Sequence, residues 1–198
     1  MMKKTLLAAA ALCALTSGAA MAQNYPQDGK WMVRARAVHL DSANKDSTPL
    51  DLSVNNKMIP ELDISYFFTP NFAAELILTY PQKHDVRAGG AEIGSLKHLP
   101  PTLLAQYHFT NLGAFKPYVG AGINYTRFSS VDILGGALNV KKNSFGPALQ
   151  VGFDYALDKN WSINFDVKKV YIDTNVSGGI GKFKVDPVLV GVGLGYRF

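Results

Sequence analysis

The last eleven residues of the chain place an apolar side chain at every second position, from Val188 to Phe198. The positions between them hold Leu189, three glycines and Arg197. A repeat of two residues is typical of a β-strand with two different faces, and a strand of a soluble sandwich could show the same alternation. The terminal aromatic residue and the glycines opposite the apolar face favour the closing strand of a membrane barrel. Such a strand needs apolar groups toward lipid and little bulk in a narrow interior.

Seven further segments alternate in the same way, and the connections between the eight segments are alternately long and short. The predicted strands are residues 31–40, 60–68, 74–80, 102–109, 118–125, 148–155, 161–168 and 188–198. The long connections are residues 41–57, 81–98, 129–143 and 173–182. Outer-membrane barrels have long outer loops, short periplasmic turns and both chain ends on the inner side. The sequence therefore predicts an all-β fold, a single eight-stranded antiparallel up-and-down transmembrane β-barrel.

Residues 1–22 have the features of a secretory signal peptide and are not expected to be part of the fold. Two lysines are followed by a short apolar run over residues 5–15, and residues 20–22 form a small-x-small cleavage site. The apolar run is too short to be a spanning helix. We therefore predict that the signal peptide is cleaved and that residues 23–198 form the outer-membrane barrel domain.

Cleavage would remove the single cysteine, Cys13, and would lower the formal net charge from +5 to +3 through the loss of Lys3 and Lys4. No disulfide, thiol nucleophile or thiolate metal site is then expected. The remaining charges are spread along the sequence without a basic block, which argues against a nucleic-acid partner. No later stretch approaches the ~20 apolar residues of a membrane helix. These features fit an exported protein that is either periplasmic or an outer-membrane barrel. In the second case, which the strand pattern favours, outer-membrane lipids and lipopolysaccharide would surround it.

The face opposite the apolar series carries charged side chains on most of the predicted strands. Shifting the register of one strand by one residue would move such a charged side chain to the lipid-facing side. For a cation at mid-depth of the membrane this would cost about 2–4 kcal/mol of stability. The interior of eight strands is just wide enough for side chains to fill, so these groups are expected to pair and plug the lower barrel. The alternative is a charged path for ions. The predicted plug residues are Arg34, Arg36, Glu61, Asp63, Asp154, Asp166 and Lys168.

Aromatic residues gather at both ends of the predicted strands, where interfacial girdles belong. The short-turn end holds most of them, Trp31, Phe68, Phe72, Phe109, Phe115, Phe153, Tyr155, Trp161 and Phe198. Tyr80, Tyr125, Phe128 and Tyr171 could form the outer girdle.

Several stretches resemble the OmpW family of outer-membrane proteins. The segment at residues 99–109, LPPTLLAQYHF, looks like the fourth strand of that family. Further stretches that resemble its pattern, in the family's order, are residues 80–85, 117–125, 145–155 and 166–169. The resemblance implies an eight-stranded barrel with a proposed role in passing small hydrophobic molecules across the outer membrane. It also implies that some members serve as phage or colicin receptors. Finally, it implies a barrel assembly machinery that recognises a C-terminal signal, here Tyr196 and Phe198.

The outer connections carry apolar residues that a fully solvated loop does not need. The candidates for a hydrophobic mouth are Leu50, Leu52, Met58, Leu96 and Leu99, which could equally pack the loops into a cap. Pro100 and Pro101 precede a strand that descends from the outer side, and proline cannot donate to the ladder. They either mark the start of that strand or leave the wall under-bonded, so that an apolar solute could leave sideways into the bilayer.

Histidine is the residue type that would suggest a metal or catalytic site here. The four, His39, His84, His98 and His108, include no pair with ligand spacing on one strand face, and none lies two residues from a serine on one face. His84 matches a family position and is otherwise expected to be a solvated loop residue. We therefore predict no catalytic residues, no metal and no cofactor.

The sequence as a whole favours a barrel that is not an enzyme and that aids passive uptake of small hydrophobic solutes. The competing hypothesis is a closed structural or interaction barrel whose outer loops bind partners. A third and weaker hypothesis is a lipid-modifying enzyme. Uptake of apolar solutes by liposomes distinguishes the first from the second, and lipid turnover tests the third.

Overall fold

The computed structural model of the chain describes residues 29–137, 139–176 and 181–198, so the predicted signal peptide lies outside the described residues. In the described part every regular element is a β-strand, and no helix there is long and apolar enough to span a membrane. The strands are β1 (Trp31–Asp41), β2 (Lys45–Asp46), β3 (Leu52–Val54), β4 (Lys57–Phe67), β5 (Phe72–Leu78), β6 (Gln82–Ala88), β7 (Ala91–Leu99), β8 (Thr102–His108), β9 (Phe115–Ile133), β10 (Asn143–Ala156), β11 (Trp161–Val170), β12 (Asp173–Val176), β13 (Gly181–Lys184) and β14 (Val188–Arg197).

Eight of these strands form a closed antiparallel ring. The order around the ring is β1, β4, β5, β8, β9, β10, β11 and β14, and β14 pairs back with β1. Each strand of the ring therefore lies beside the next one along the chain, as in an up-and-down barrel. This confirms the predicted eight-stranded antiparallel β-barrel.

The two ends of the barrel domain meet where β14 closes the ring against β1. The amide of Trp31 donates to the carbonyl of Phe198 at 3.0 Å, and the amide of Phe198 donates back at 2.8 Å. A Cβ atom added to Gly193 would lie 2.0 Å from the carbonyl oxygen of Ala35, so the glycine face of β14 lets the neighbouring backbone approach closely.

Apolar side chains cover the outside of the ring. They alternate along each strand with buried residues, as a lipid-facing surface requires. Examples of these exposed residues are Leu62, Leu76, Leu103, Val119, Ile123, Leu149, Val151, Ile163, Val192 and Leu194.

The aromatic residues lie at both ends of this apolar band, with one exception. Tyr80, Tyr125 and Tyr171 are exposed at the end that carries the long connections. The prediction for Phe128 was wrong, because β9 continues past Tyr125 and its alternation turns Phe128 inward, where only 2% of it is exposed. Phe145, on the neighbouring β10, is exposed at that end instead.

The remaining six strands extend the barrel beyond the apolar band. We call them the extension strands; they are β2, β3, β6, β7, β12 and β13. Residues 81–98 were predicted to be a long connection, but they form a hairpin of β6 and β7. This hairpin pairs with β3 on one side and with the upper part of β9 on the other. A separate small sheet joins β12, β13 and β2. These strands enclose the upper end of the barrel interior.

Candidate functional site in the barrel interior

The lower barrel is crossed by Arg34, which connects β1 with the opposite side of the ring. Its guanidinium lies 2.7 Å from Asp154 on β10 and 2.9 Å from Glu75 on β5. It also donates to the hydroxyl of Ser65 on β4 at 2.8 Å. The Arg34 side chain is fully buried, so its charge is neutralised by protein groups rather than by water.

A second arginine, Arg36, lies one inward position above Arg34 on β1. It pairs with Asp63 on β4, with Glu75 at 2.8 Å and with Asp166 on β11 at 3.0 Å. Lys168 on β11 lies 2.8 Å from the same Asp166. Lys168 also pairs with Glu61 on β4, which joins the two sides of the network.

All seven residues predicted for the plug are therefore buried in one connected network that spans the interior. We call this set, together with Glu75, the ion-pair layer. It holds three cations and five carboxylates, contributed by β1, β4, β5, β10 and β11. A charge this deep is stable only when its hydrogen-bonding positions are occupied, so the layer is held together as a unit.

Two neutral side chains tie the carboxylates of this layer together. The amide of Gln150 donates to Glu75 at 2.8 Å and to Asp166 at 2.7 Å. The hydroxyl of Tyr118 also donates to Asp166, at 2.9 Å. Sequence reasoning placed Tyr118 on the inward series but did not single it out. The signal was its position among glycines on β9, where a large inward residue must lie across the lumen.

Above the ion-pair layer the interior becomes apolar. Ring strands contribute Val38, Leu40, Ile59, Ile77, Leu104, Val170 and Leu189 to one continuous cluster of buried side chains. The upper part of β9 adds Phe128 and Ile133, and the extension strands and the segments beside them add Leu52, Val54, Val86, Leu96, Ile172, Val176, Phe183 and Val185. We call these residues the apolar cluster. The barrel thus has a charged lower interior and an apolar upper interior.

A small cavity lies at the boundary between the two regions. Its volume is about 20 Å³, and Glu61 and Lys168 line it together with Leu40, Ile77 and Pro100. A space of this size holds about one water molecule. An apolar solute of any size must therefore displace side chains of the apolar cluster to reach the ion-pair layer.

The predicted mouth residues do not all lie in the interior. Leu52 and Leu96 are buried in the apolar cluster, and Leu50 packs against it from the rim. Leu99 is half-buried at the end of β7. The placement of Met58 at the mouth was wrong. Met58 is 59% exposed on the outer surface, because the inward series of β4 passes through Ile59 instead.

Pro100 and Pro101 lie at a break in the wall between β5 and β8. The β5–β8 ladder ends at Ile77 and Thr102, and the next pair above it is Gln82 with His98. Between these two pairs, residues 78–81 have no ladder partner on the segment 99–101. We call this break the wall slot.

Both prolines are tethered to β9 and not to β5. The side-chain amide of Asn124 donates to their carbonyl oxygens at 3.2 Å each, and the amide of Tyr125 donates to Pro101 at 3.0 Å. Since proline has no N–H group, neither residue can donate toward β5. The two prolines therefore supply no backbone donor at the wall slot.

The upper edge of the wall slot is formed by two stacked histidines. The rings of His84 on β6 and His98 on β7 have centroids 4.7 Å apart and planes 23° apart. His84 is buried, not solvated as expected, and its Nδ1 donates to the carbonyl of Asn55 at 3.0 Å. Burial, the largest cause, and the cation of Lys57 together lower the pKa of both imidazoles, that of His98 to about 3. The sequence did not predict this pair, because the two residues meet across a hairpin.

The described residues contain no group of three or more His, Cys, Asp or Glu side chains placed to hold a metal ion. The two residues predicted to form an assembly signal, Tyr196 and Phe198, lie at the lower rim. The ring of Tyr196 packs edge-on against Trp161 with centroids 4.9 Å apart, and Phe198 pairs through its backbone as described above.

A closed ring with an apolar outer band, aromatic ends and a charged interior defines a transmembrane β-barrel. The OmpW family model matches residues 27–198, so the chain belongs to the OmpW family and is an outer-membrane protein. This confirms both the resemblance and the predicted location.

Related proteins agree with this assignment. The chain is 49% identical over 182 residues to uncharacterized outer-membrane protein y4mB of Sinorhizobium fredii, a match over 85% of this chain and 80% of that protein. It is 34% identical to outer membrane protein W of Vibrio cholerae, over the full length of both chains. The crystal structure of OprG from Pseudomonas aeruginosa superposes with a TM-score of 0.73 at 28% identity, over 89% of this chain and 98% of that one.

Proposed function

We propose that the protein admits small hydrophobic molecules from outside into its apolar upper interior and releases them sideways through the wall slot into the outer membrane. The observation that carries the proposal is the position of the wall slot. Pro100 and His98 line the cavity at the height where the apolar cluster meets Glu61 and Lys168 of the ion-pair layer. A descending solute would meet charge below and an under-bonded wall beside it at the same level.

The ion-pair layer makes the direct route through the lumen unfavourable. An apolar solute among Arg34, Arg36 and their carboxylates would gain no burial in an apolar environment. It would also separate buried ion pairs, and leaving one such charge unpaired costs about 3–5 kcal/mol. Passage straight through into the periplasm would require several of these pairs to open at once.

The lateral route requires much less free energy than the route through the ion-pair layer. Each backbone hydrogen bond of a ladder contributes about 0.5–1.5 kcal/mol net, and those donors are already missing at Pro100 and Pro101. The residues on the outer side of the slot, Leu78 and Leu103, belong to the lipid-facing band. An apolar molecule that leaves here passes from one apolar environment to another. The route therefore favours apolar solutes over polar ones.

We expect admission to require movement of the extension strands, because buried side chains of the apolar cluster occupy the upper interior in the described part of the chain. Leu52 lies on β3, which pairs with β6 over three residues, and Leu96 lies on β7, which joins the ring through its pairing with the upper part of β9. Such peripheral elements open locally at lower free energy than a barrel core. The solute would replace side-chain contacts of the cluster with its own.

Restoring the missing donors tests the proposal. We expect the double variant Pro100→Thr and Pro101→Thr to extend the β5–β8 ladder and to reduce uptake of an apolar dye into liposomes several-fold. Pro147→Thr is the matched control, since Pro147 pairs with Ile123 inside the β9–β10 ladder, away from the slot. Heat-dependent mobility on a detergent gel would verify that each barrel is folded. Unchanged uptake by the folded double variant would show that the two prolines only mark the start of β8.

A closed interaction barrel is the second candidate function, and the packed upper interior favours it. If the extension strands form a permanent cap, their outer surface is the functional part, as in a receptor for phage or colicin. Liposomes that contain the purified protein would then take up the apolar dye no faster than empty liposomes. The same assay therefore decides between the two candidates.

A further inference from the structure

Three cations occupy neighbouring outward positions just beyond the apolar band. Lys83 on β6 and Lys97 on β7 are directly opposite each other in the hairpin, and both are exposed. Arg127 on β9 pairs with Leu99, one outward position below Lys97 on the adjacent strand. We call these three residues the basic arc.

The basic arc lies at the outer boundary of the membrane. Tyr80 and Tyr125, 53% and 43% exposed, end the apolar band at this point. Arg127 is the next outward residue after Tyr125 on β9. Lys83 is the first exposed residue of β6, which begins at Gln82 after the break that contains Tyr80. Exposed tyrosines of this kind lie at the headgroup level, so the cations reach the layer of lipid headgroups.

The described part of the chain supplies no ion-pair partner for this arc. Like charges directly opposite each other in a sheet are destabilising, which makes the pair of Lys83 and Lys97 costly in isolation. Every salt bridge among the described residues lies inside the barrel, so no carboxylate comes within 4.0 Å of the three cations. Asp85 is the next outward residue on β6, but it is half-buried and forms no ion pair with either lysine.

We propose that the basic arc binds the phosphate groups of lipopolysaccharide in the outer leaflet. One phosphate between Lys83 and Lys97 would turn their repulsion into two charge-assisted contacts, and the guanidinium of Arg127 can hold a second phosphate with two parallel hydrogen bonds. The acyl chains would lie against the apolar band below. The binding surface depends on the membrane location and not on solute passage.

Binding of purified lipid A to the folded full-length protein in detergent tests this proposal, with native mass spectrometry as the readout. We expect Lys83→Gln with Lys97→Gln to weaken binding of diphosphoryl lipid A by about ten-fold or more, since each cation near an anionic surface is worth about 1 kcal/mol. Lys83→Arg with Lys97→Arg should bind like the parent protein because the charge is kept. Lys159→Gln is the matched control, an exposed lysine in the turn between β10 and β11.

Three outcomes would overturn the proposal. The first is equal binding by the Gln variant and the parent protein, with the heat-dependent gel shift intact in both. The second is equal binding of diphosphoryl and dephosphorylated lipid A, which would show that the acyl chains alone are recognised. The third is full displacement of the lipid by an equal concentration of inorganic phosphate, which would show a site for free anions. Dye uptake by the same variants should stay normal, so failure here would leave the proposed function untouched.

Discussion

Arg34 and Asp154 form a two-point ion pair across the barrel interior, between strands that are three positions apart in the ring. Nε of Arg34 lies 3.1 Å from one carboxylate oxygen of Asp154, and a terminal guanidinium nitrogen lies 2.7 Å from the other. The two residues are 120 positions apart in the sequence and are carried by β1 and β10. Because the pair has two contact points, it fixes the distance between β1 and β10 and connects these strands within the ion-pair layer.

Removing Arg34 should destabilise the barrel strongly. We expect Arg34→Met to lower the free energy of unfolding by about 3–5 kcal/mol, because Asp154 and Glu75 lose a partner while they stay buried. Urea unfolding in lipid vesicles, followed by tryptophan fluorescence, would measure the change. The double variant Arg34→Met with Asp154→Leu should recover part of the loss. A single variant within about 1 kcal/mol of the parent would mean that water already reaches the layer.

The ion-pair layer should also prevent ion flow. Planar bilayer recordings of the refolded protein are expected to show small or rare conductance steps, because side chains from five strands fill the lumen at the level of Arg36 and Asp166. A general porin in the same membrane provides the comparison. Large and steady currents that scale with salt concentration would show that the lumen is open to ions and that the layer is no seal.

The residues of the ion-pair layer could be predicted because strand alternation has a period of two. Once the apolar series of β1 and β10 is assigned to lipid, Arg34 and Asp154 can only point inward, since the opposite assignment places charge in the bilayer. Alternation does not show which inward residue meets which across the lumen. That depends on strand stagger, and the partners of Glu75 and Tyr118 emerged only in three dimensions.

The upper barrel was harder to predict because its strands leave the membrane. Beyond the apolar band the outward residues are polar, so the alternation of His84 and Val86 with Lys83 and Asp85 does not differ from that of an irregular loop. Met58 was misplaced for the same reason. The segment before Pro60 was predicted to be a loop, but it is the start of β4. Ile59 and Glu61 belong to the same inward series of that strand, which leaves Met58 on the outward face.

The chain terminus should be needed for assembly. We expect deletion of Phe198 to reduce the amount of folded protein in the outer membrane, because the deletion removes the two backbone hydrogen bonds to Trp31 and the aromatic end of the terminus. Heat-dependent gel mobility of outer-membrane fractions would measure the folded amount. Phe198→Tyr keeps the aromatic ring and the backbone bonds and should assemble normally. Parent levels of the deletion variant would show that no assembly signal resides in Phe198.

The stacked histidines should make the β6–β7 hairpin sensitive to acid. The pKa values of His84 and His98 are lowered in the folded hairpin, so an opened hairpin binds protons more tightly. Their contribution is therefore complete above the ordinary histidine pKa of about 6.5 and is lost as the pH falls below it, down to about 3 for His98. The nearby charges do not reverse this sign, because Lys57 disfavours the imidazolium forms and Asp85 favours only that of His84.

Hydrogen exchange can measure this acid sensitivity directly. Between pH 7 and pH 5 we expect the hairpin amides to lose protection equivalent to roughly 2 kcal/mol for His98 alone, after correction for intrinsic exchange rates. The amides of β10 and β11 should change much less, because they lie away from the histidine pair. His98→Phe preserves a stacked ring without a titrating group and should remove the His98 part of the pH dependence, leaving only the part due to His84, whereas His39→Gln, on the outer surface of β1, should leave the pH dependence intact. Equal protection at both pH values would show that water reaches the imidazoles in the closed hairpin.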